Sequence, residues 1–315
     1  MTILPSFLSP VSLWGIYVRR CFAASGLSQQ SMQLDDDDDD EDTTLHFWGP
    51  NPNHQTALNR SRSQKPSLVL IHGFGPAAMW QWRKQVQFFS PHFNVYVPDL
   101  VFFGGSTTES KERTETFQAA SVAKLLEKLG VERFSVVGTS YGGFVAYHVA
   151  RTWPERVDKV VIASSGVNMR RRDSDSLLKR ADVDQIEDLM LPATAAQLHK
   201  LMRLAMFKKL MIPQFFMNDI IQKLYSDKRN EKMELLKGVT IGRDDTTMIS
   251  PLPNKEVLIV WGEKDQIFPL EMAIELEKLL GTKARLEVIK NTSHMPQVED
   301  SIQFNNIVQN FLCKS

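Results

Sequence analysis

The stretch VVGTSYGGF, residues 136–144, places one serine between two glycines directly after an apolar, β-branched run. Gly138, Ser140 and Gly142 fit the pattern G-x-S-x-G, in which a strand turns sharply into a helix and exposes the serine hydroxyl. Side chains at the two glycine positions would collide with the neighbouring strand and helix, so the turn requires glycine there. An inert serine in a tight corner would show the same letters, so the pattern alone leaves two interpretations open.

Two further residues follow in the chain order that a serine nucleophile at such a turn requires. A serine hydroxyl attacks only when a base takes its proton, and that base needs an acid that orients it. Asp265 follows the apolar run EVLIVWG, and His294 follows the run RLEVI. Each residue alone could be an ordinary loop residue, but serine, acid and histidine at successive strand ends predict a catalytic triad.

Two backbone N–H groups should bind the oxygen anion that forms during attack by such a serine. One candidate is the amide of Tyr141, at the N-terminus of the helix after the turn. The other is the amide of Phe74 in the sequence HGFG, where Gly73 and Gly75 let the backbone approach closely. We expect His72 of the same sequence to brace its loop rather than to act as the base.

Short apolar runs alternate with helical patterns along most of the chain, which predicts an α/β fold with a mostly parallel central sheet flanked by helices. The predicted strands include residues 67–71, 93–100, 133–138, 157–164, 256–262 and 285–289. The predicted helices begin near residues 115, 142, 270 and 301. We therefore expect a core domain over residues 43–165 and 251–315, interrupted by a helical cap over residues 166–250.

The predicted cap is rich in methionine, with seven of the 13 methionines between Met190 and Met248. Its stretch Leu198–Phe216 mixes apolar residues with four cations, and no acid occurs from Leu189 to Asn218. The expectation is a helix whose apolar face covers the active site, with the cations (Lys200, Arg203, Lys208 and Lys209) in water. The alternative is that this face meets an anionic membrane surface and admits a lipid ester.

Residues 1–42 are predicted to form a flexible tail that ends in eight consecutive acids, Asp35 to Asp42. Blocks of like charge repel, so we interpret the acidic run as a disordered linker. Without it, the chain has 37 basic and 29 acidic residues. The apolar run Val11–Val18 is too short to span a bilayer. An organelle transit peptide, an interfacial helix and an unstructured terminus all remain open for this segment.

The composition excludes several classes of protein. Cys21 and Cys313 lie near opposite ends of the sequence and form neither a disulfide framework nor a metal motif, which fits a reducing compartment. We therefore expect a cytoplasmic protein, with membrane association and organelle targeting left open. No metal, cofactor or nucleic-acid partner is expected, and the sequence makes no prediction of oligomeric state.

Five motifs together resemble the α/β-hydrolase-fold serine hydrolases, over about Thr43 to Phe311. These motifs are HGFG, PDLVFFGGS, VVGTSYGG, WGEKDQIFP and NTSHMPQVED. Their wording most resembles plant members described as hydrolases or monoacylglycerol-lipase-like proteins. The resemblance implies that Ser140 is the nucleophile, Asp265 the orienting acid and His294 the general base. It also implies that the amides of Phe74 and Tyr141 are the oxyanion donors.

Two departures from the family pattern bear on the substrate. Phe102 replaces a glycine that many members carry in the loop after the fourth strand, so we expect a narrower pocket. Met295 stands where the related carbon–carbon bond hydrolases usually carry tryptophan, which counts against that chemistry. Because Ser140 and not aspartate is the nucleophile, dehalogenase and epoxide-hydrolase chemistry are also disfavoured.

The sequence thus predicts hydrolysis of a carboxylic ester with an apolar acyl or alcohol part, monoacylglycerol-like lipid esters included, through an acyl-enzyme. Two alternatives remain. A small-molecule hormone receptor can have a hydrolase fold with an intact triad, and it would show slow or single turnover. A cofactor-free carbon–carbon bond hydrolase shares the triad and would act on diketone substrates but not on esters.

Overall fold

The structure, a computed structural model, describes residues 9–34, 42–52, 65–209, 211–246, 249–252 and 254–314. Residues 35–41 of the acidic run lie outside the described residues, and so does the linker expected there. Among the described residues, no helix combines the length and the apolar character needed to cross a bilayer.

One sheet contains all the strands of the described residues. They are β1 (Leu27–Gln33), β2 (Thr43–Pro50), β3 (Ser67–Ile71), β4 (Asn94–Pro98), β5 (Thr107–Thr108), β6 (Phe134–Thr139), β7 (Val157–Ala163), β8 (Glu256–Gly262) and β9 (Ala284–Ile289). The strand order is β1-β2-β4-β3-β6-β7-β8-β9, and the short β5 pairs with β2. The pairs from β4 to β9 are parallel, whereas β2 is antiparallel to its neighbours.

Helices precede, connect and follow these strands. They are α1 (Pro10–Ala24), α2 (Ala78–Phe89), α3 (Glu115–Lys128), α4 (Tyr141–Thr152), α5 (Arg171–Ala181), α6 (Ile186–Met190), α7 (Ala195–Ala205), α8 (Gln214–Ile220), α9 (Arg229–Gly238), α10 (Leu270–Leu280), α11 (Pro296–Glu299) and α12 (Ser301–Leu312). A π-helical turn, Ile221–Tyr225, continues α8. The predicted α/β fold with a mostly parallel sheet is confirmed.

The central strands are buried on both faces because helices cover each side of the sheet. Val69 and Ile71 of β3 join a core cluster with residues of α3, α4 and α10. Leu68 and Leu70, which alternate with them, join a second cluster with residues of α1, α2 and α12. Burial on both sides explains why these strands are continuous apolar runs in the sequence.

The predicted strands and helices of the core domain correspond to observed elements, but α2 and the short elements β5 and α11 have no counterpart in the prediction. The helix α2 was not predicted, although Ala78, Trp82, Val86 and Phe89 are spaced for one helix face and are all buried. The signal was therefore present in the sequence. This helix packs against α1 and so forms one of the contacts that hold the N-terminal segment on the fold.

The expectation of a flexible tail over residues 1–42 is wrong for residues 9–34. Helix α1 packs on α2 through Val18 and Phe22, and the ring of Phe22 lies 5.0 Å from that of Trp48. Strand β1 pairs along its whole length with β2, from Leu27 opposite Pro50 to Gln33 opposite Thr44. The buried apolar side chains and the ladder of backbone hydrogen bonds offset the entropy of ordering the segment.

Between β7 and β8 the described residues form helices α5 to α9 and no strand. The stretch Leu198–Phe216 is not one helix, because α7 ends at Ala205 and α8 begins at Gln214. Its described residues do not line the cavity at Ser140, contrary to the expectation of a helical face over the active site. Residues of α5, α6, α9 and the segment after α9 line it instead.

We expect Phe22→Ala to lower the free energy of unfolding by about 3–5 kcal/mol, because the ring is fully buried between α1 and the sheet. Urea denaturation measures the change. Leu13→Ala on the exposed side of α1 is the control and should change stability by no more than about 0.5 kcal/mol. Equal small effects of the two substitutions would show that the N-terminal segment is not part of the fold.

Candidate active site

Ser140 sits at the turn between β6 and α4 in a strained backbone conformation, with φ 53° and ψ −123°. A non-glycine residue with positive φ costs about 1–3 kcal/mol, so the surrounding structure must hold it in place. The Ser140 N–H donates to the carbonyl of Ala163, at 2.9 Å. The Ser165 hydroxyl donates to the carbonyl of Ser140, at 2.6 Å. These bonds to β7 and the residues after it fix the backbone at the nucleophile position.

Gly138 and Gly142 stand where three backbone segments approach each other. A Cβ atom on Gly138 would lie 2.1 Å from the carbonyl oxygen of Gly142. A Cβ atom on Gly142 would lie 2.3 Å from the carbonyl oxygen of Ile71 at the end of β3. Neither position has room for a side chain, in agreement with the collision expected at the two glycines.

The structure brings Ser140, His294 and Asp265 into one hydrogen-bonded chain. The Ser140 hydroxyl lies 2.9 Å from His294 Nε2. The other ring nitrogen, Nδ1, lies 3.0 Å from Asp265 Oδ2. Because a carboxylate only accepts, Nδ1 carries the hydrogen of that bond and Nε2 is left to accept from the serine. All three side chains are buried.

The Asp265 carboxylate is held by its own loop after β8. Its Oδ1 atom accepts the backbone N–H groups of Ile267, at 2.9 Å, and Phe268, at 3.0 Å. The ring of Phe268 packs on that of His294, with their centres 5.4 Å apart. Oδ2 is therefore kept free of this loop and directed at the imidazole.

The His294 loop is tied to the segment after α7 by two residues that the sequence analysis did not single out. The Ser293 N–H donates to Glu299 Oε2, at 2.7 Å. The other oxygen, Oε1, accepts the N–H groups of Phe207, at 2.8 Å, and Lys208, at 3.2 Å. The Ser293 hydroxyl donates to a carbonyl of α7, at 2.9 Å. Ser293 and Glu299 both lie in the motif NTSHMPQVED. That they hold the histidine loop is seen only from their hydrogen-bonding partners in the structure.

The loop after β3 runs against the nucleophile. A Cβ atom on Gly73 would lie 3.0 Å from Ser140 Cβ, and the ring of Phe74 lies 6.0 Å from that of Tyr141. Neither the Phe74 amide nor the Tyr141 amide has a hydrogen-bonding partner among the described residues. The two amides therefore stay the candidates for an oxyanion site.

His72 braces this loop, as expected. Its Nδ1 donates to the carbonyl of Gly73, at 2.8 Å, and its Nε2 accepts the N–H of Leu100, at 3.0 Å. Burial lowers the pKa of His72 to about 4. The neutral ring is the form that satisfies both bonds, since a protonated Nε2 would no longer accept from Leu100.

Asp99, the residue after β4, supports the same loop. Its Oδ1 accepts the N–H of Ala78 at the start of α2, at 2.7 Å. Burial raises the pKa of Asp99 to about 6, although that hydrogen bond and the nearby Lys228 and Lys232 act in the opposite direction. The loop after β3 therefore rests on two buried groups whose pKa values are shifted in opposite directions.

A cavity of about 350 Å³ opens at Ser140, and most of its wall is apolar. The segment between β7 and β8 contributes eight of the apolar side chains: Met169, Leu177, Leu178, Ile186, Met190, Leu236, Val239 and Ile241. The charged side chains that line it among the described residues are Lys237 and Arg243, and both are exposed. The cavity is suited to an apolar small molecule.

Phe102 is not among the described residues that line the cavity, so the expectation that it narrows the pocket is wrong. Its backbone has φ 74°, which explains why glycine is favoured there. The buried ring packs under the guanidinium of Arg113, 4.5 Å from its centre. The substitution therefore alters the loop after β4 without reaching the substrate side.

In sequence, the chain is similar to hydrolases that are named for different substrates. A sequence model of the family described as alpha/beta hydrolase fold matches residues 66–301. A 2-hydroxy-6-oxononadienedioate/2-hydroxy-6-oxononatrienedioate hydrolase of Paraburkholderia phymatum is 25% identical over 81% of this chain and 89% of its own. The pimeloyl-[acyl-carrier protein] methyl ester esterase of Vibrio campbellii is 26% identical over 80% of this chain and 96% of its own.

A solved structure of another protein has the same fold. The 2-hydroxy-6-oxo-6-phenylhexa-2,4-dienoate hydrolase of Rhodococcus sp. strain RHA1 superimposes with a TM-score of 0.69 at 23% identity. The superposition covers 91% of this chain and 99% of the other. At this identity the likeness concerns the fold and not the substrate.

We expect Asp265→Asn to slow the reaction of Ser140 with a fluorophosphonate probe by about 10⁴-fold. The amide would turn an N–H group toward His294 Nδ1 and favour the tautomer that cannot take the serine proton. The labelling rate at neutral pH measures the effect, with exposed Asp184→Asn as the control. A loss below tenfold in a variant with an unchanged melting temperature would contradict the hydrogen-bonded chain as described.

We expect Asp99→Asn to make the protein more sensitive to acid. The lowered pKa of His72 gives stability that is present above pH 6.5 and is lost as the pH falls toward 4. The raised pKa of Asp99 acts in the opposite sense between pH 4 and 6, because only the folded state takes up that proton. Without Asp99, the His72 slope of about 1.4 kcal/mol per pH unit is no longer offset.

Urea unfolding between pH 4 and pH 7 measures this difference. The wild type and exposed Asp175→Asn should give the shallower dependence of unfolding free energy on pH. Parallel curves for Asp99→Asn and the wild type would show that Asp99 does not take up the proton.

Proposed function

Because the chain belongs to the α/β-hydrolase fold family, we propose that it hydrolyses carboxylic esters with an apolar acyl or alcohol part. The observation that carries the proposal is the hydrogen-bonded chain from Asp265 through His294 to the Ser140 hydroxyl, which ends at an apolar cavity. A nucleophile, a base and an orienting acid in this order are what acyl transfer requires.

In the proposed reaction, His294 Nε2 takes the proton of Ser140 as its hydroxyl oxygen attacks the ester carbonyl. Asp265 stabilises the imidazolium that results, since its Oδ2 accepts the Nδ1–H throughout. The Phe74 and Tyr141 amides donate to the oxygen anion of the tetrahedral intermediate. His294 then protonates the leaving alcohol, and a water molecule activated by the same histidine releases the acid from Ser140.

The cavity supports an apolar substrate such as a monoacylglycerol-like lipid ester. Its lining combines aliphatic side chains and methionines from the segment between β7 and β8 with Phe74, Phe144 and Phe268 of the core domain. Burial of apolar substrate surface against this lining contributes about 25 cal/mol per Å² to binding. We propose residues 166–250 as the cap that sets the substrate.

The relatives make carbon–carbon bond cleavage a second candidate. The name of the Paraburkholderia relative's substrate denotes two carboxylates, and such a substrate requires cations or several donors within its pocket. In this chain the charged lining residues Lys237 and Arg243 are exposed, and Lys237 Nζ donates to Glu234 at 3.1 Å. Together with Met295, these features favour ester hydrolysis.

A chain-length series of p-nitrophenyl and glycerol esters tests the proposal. We expect kcat/KM to rise with acyl length up to the capacity of the cavity, and Ser140→Ala to abolish both turnover and fluorophosphonate labelling. Ser174→Ala is the matched control, because Ser174 also lines the cavity but donates to the carbonyl of Gly242 instead of a histidine.

Three outcomes would contradict the proposal. Labelling that persists in Ser140→Ala would refute the nucleophile. Cleavage of vinylogous diketones without cleavage of esters would establish the carbon–carbon alternative. Single turnover, together with a binding partner that requires the ligand, would establish a receptor.

A further inference from the structure

Helix α1 has apolar side chains on both of its faces. Val11, Val18 and Phe22 lie on the buried face, toward α2 and the sheet. Leu13, Trp14, Ile16 and Tyr17 lie on the other face and are 42–56% exposed. A surface helix of a folded domain normally has polar residues on its outer face, and helices that are apolar all round have an apolar neighbour on each side.

A second exposed apolar segment lies beside the N-terminus of α1. The Ser9 hydroxyl donates to Asp219 of α8, and the Val11 N–H donates to the same carboxylate at 3.0 Å. Phe215 lies one helical turn before Asp219, on the same side of α8, and is 57% exposed. Met211, before α8, is 99% exposed. Helix α1 and helix α8 therefore adjoin, and the exposed Met211 precedes α8 in the chain.

A groove of about 720 Å³ runs along this segment. Flexible apolar side chains, Met202, Met206 and Met217, line it together with cations, Arg203, Lys208 and Lys209. Methionine side chains adapt to irregular apolar partners. The groove thus combines an adaptable apolar floor with a positively charged rim.

Within these two segments the charged side chains are all cationic. Arg19 and Arg20 are exposed on α1, and the guanidinium of Arg83 lies over the rings of Trp14 and Tyr17, at 5.6 and 5.5 Å. No acid occurs in residues 9–34 or 189–218. Three acids of neighbouring elements are engaged: Asp219 by Ser9 and Val11, Glu299 by three backbone N–H groups, and Asp182 by Lys200 of α7.

We propose that these two segments form one docking surface for an anionic phospholipid bilayer. The docking surface consists of Leu13, Trp14, Ile16 and Tyr17 of α1 together with Phe207, Met211 and Phe215. Tryptophan and tyrosine are the side chains favoured at the boundary between lipid chains and water. Cations at the rim would meet the phosphate groups, and the apolar side chains would enter the outer part of the acyl layer.

The docking surface is connected to both sides of the active site. Glu299 joins the Phe207 backbone to the loop that carries His294. The π-helical turn after α8 ends at Tyr225, whose hydroxyl would lie 3.9 Å from a Cβ on Gly75, next to Phe74. If the proposed ester hydrolysis is correct, docking delivers esters dissolved in the bilayer, but binding itself requires no chemistry at Ser140.

Flotation of the full-length protein with phosphatidylcholine vesicles, with and without phosphatidylserine, tests the docking surface. Ile16→Gln and Ile274→Gln form a matched pair, because the two isoleucines are 42% and 41% exposed and Ile274 lies on α10, which is not part of the docking surface. We expect Ile16→Gln combined with Leu13→Gln to weaken partitioning by about tenfold, and Ile274→Gln to leave it unchanged.

The cations are tested in the same assay. Lys208→Gln with Lys209→Gln should weaken partitioning to the anionic vesicles by about fivefold for each charge removed. Lys278→Gln with Lys283→Gln, exposed positions on and after α10, is the control of equal charge. Ser140→Ala should partition as the wild type does, so failure of binding and failure of the proposed reaction are distinguishable.

Trp14 provides a direct report of insertion. Brominated acyl chains should quench tryptophan fluorescence of the wild type more than that of Trp14→Phe. Absence of flotation, or equal flotation of wild type and Ile16→Gln/Leu13→Gln, would overturn the inference. A concentration-dependent dimer that the same double variant abolishes would show instead that a second copy of the chain covers this face.

Discussion

The close approach of three backbone segments at Ser140 is the constraint on which the site depends. Strand β3, strand β6 and helix α4 meet where a side chain on Gly138 or Gly142 would overlap a carbonyl oxygen. The strained serine backbone, φ 53°, persists because β7 and its following loop hold it through two hydrogen bonds. The same turn points the Ser140 hydroxyl at His294 and leaves the Tyr141 amide open beside it.

The acid and the base reach this turn on loops that are themselves anchored. Asp265 Oδ1 accepts hydrogen bonds from two backbone N–H groups of its own loop, and these bonds direct Oδ2 at the imidazole. The histidine loop is held from outside the core domain, because Glu299 binds Ser293 on one side and the backbone after α7 on the other. The position of the base is therefore linked mechanically to the segment that forms part of the proposed docking surface.

The fold supports several reactions, so the choice of substrate depends on what covers the triad. The comparisons include an esterase and carbon–carbon bond hydrolases at similar identity. The segment between β7 and β8, which we propose as the cap, contributes many of the apolar side chains of the cavity wall. This apolar lining is the basis for the proposed uncharged acyl group, and the exposed apolar face of α1 is the basis for the proposed lipid surface.

The core domain and the candidate triad were determined by the sequence alone. Gly138 and Gly142 mark the turn at the serine, and Asp265 and His294 each follow an apolar run, so local sequence patterns are enough to identify them. The conformation of the N-terminal segment, in contrast, depends on tertiary contacts. Strand β1, LSQQSMQ, is mostly polar and becomes a strand by pairing with β2. Helix α1 has apolar side chains on both of its faces, so periodicity could not show which face is buried. The cavity lining also depends on contacts between residues far apart in the chain, and so do the hydrogen bonds of Glu299 to Phe207 and Ser293. No local sequence pattern shows such contacts.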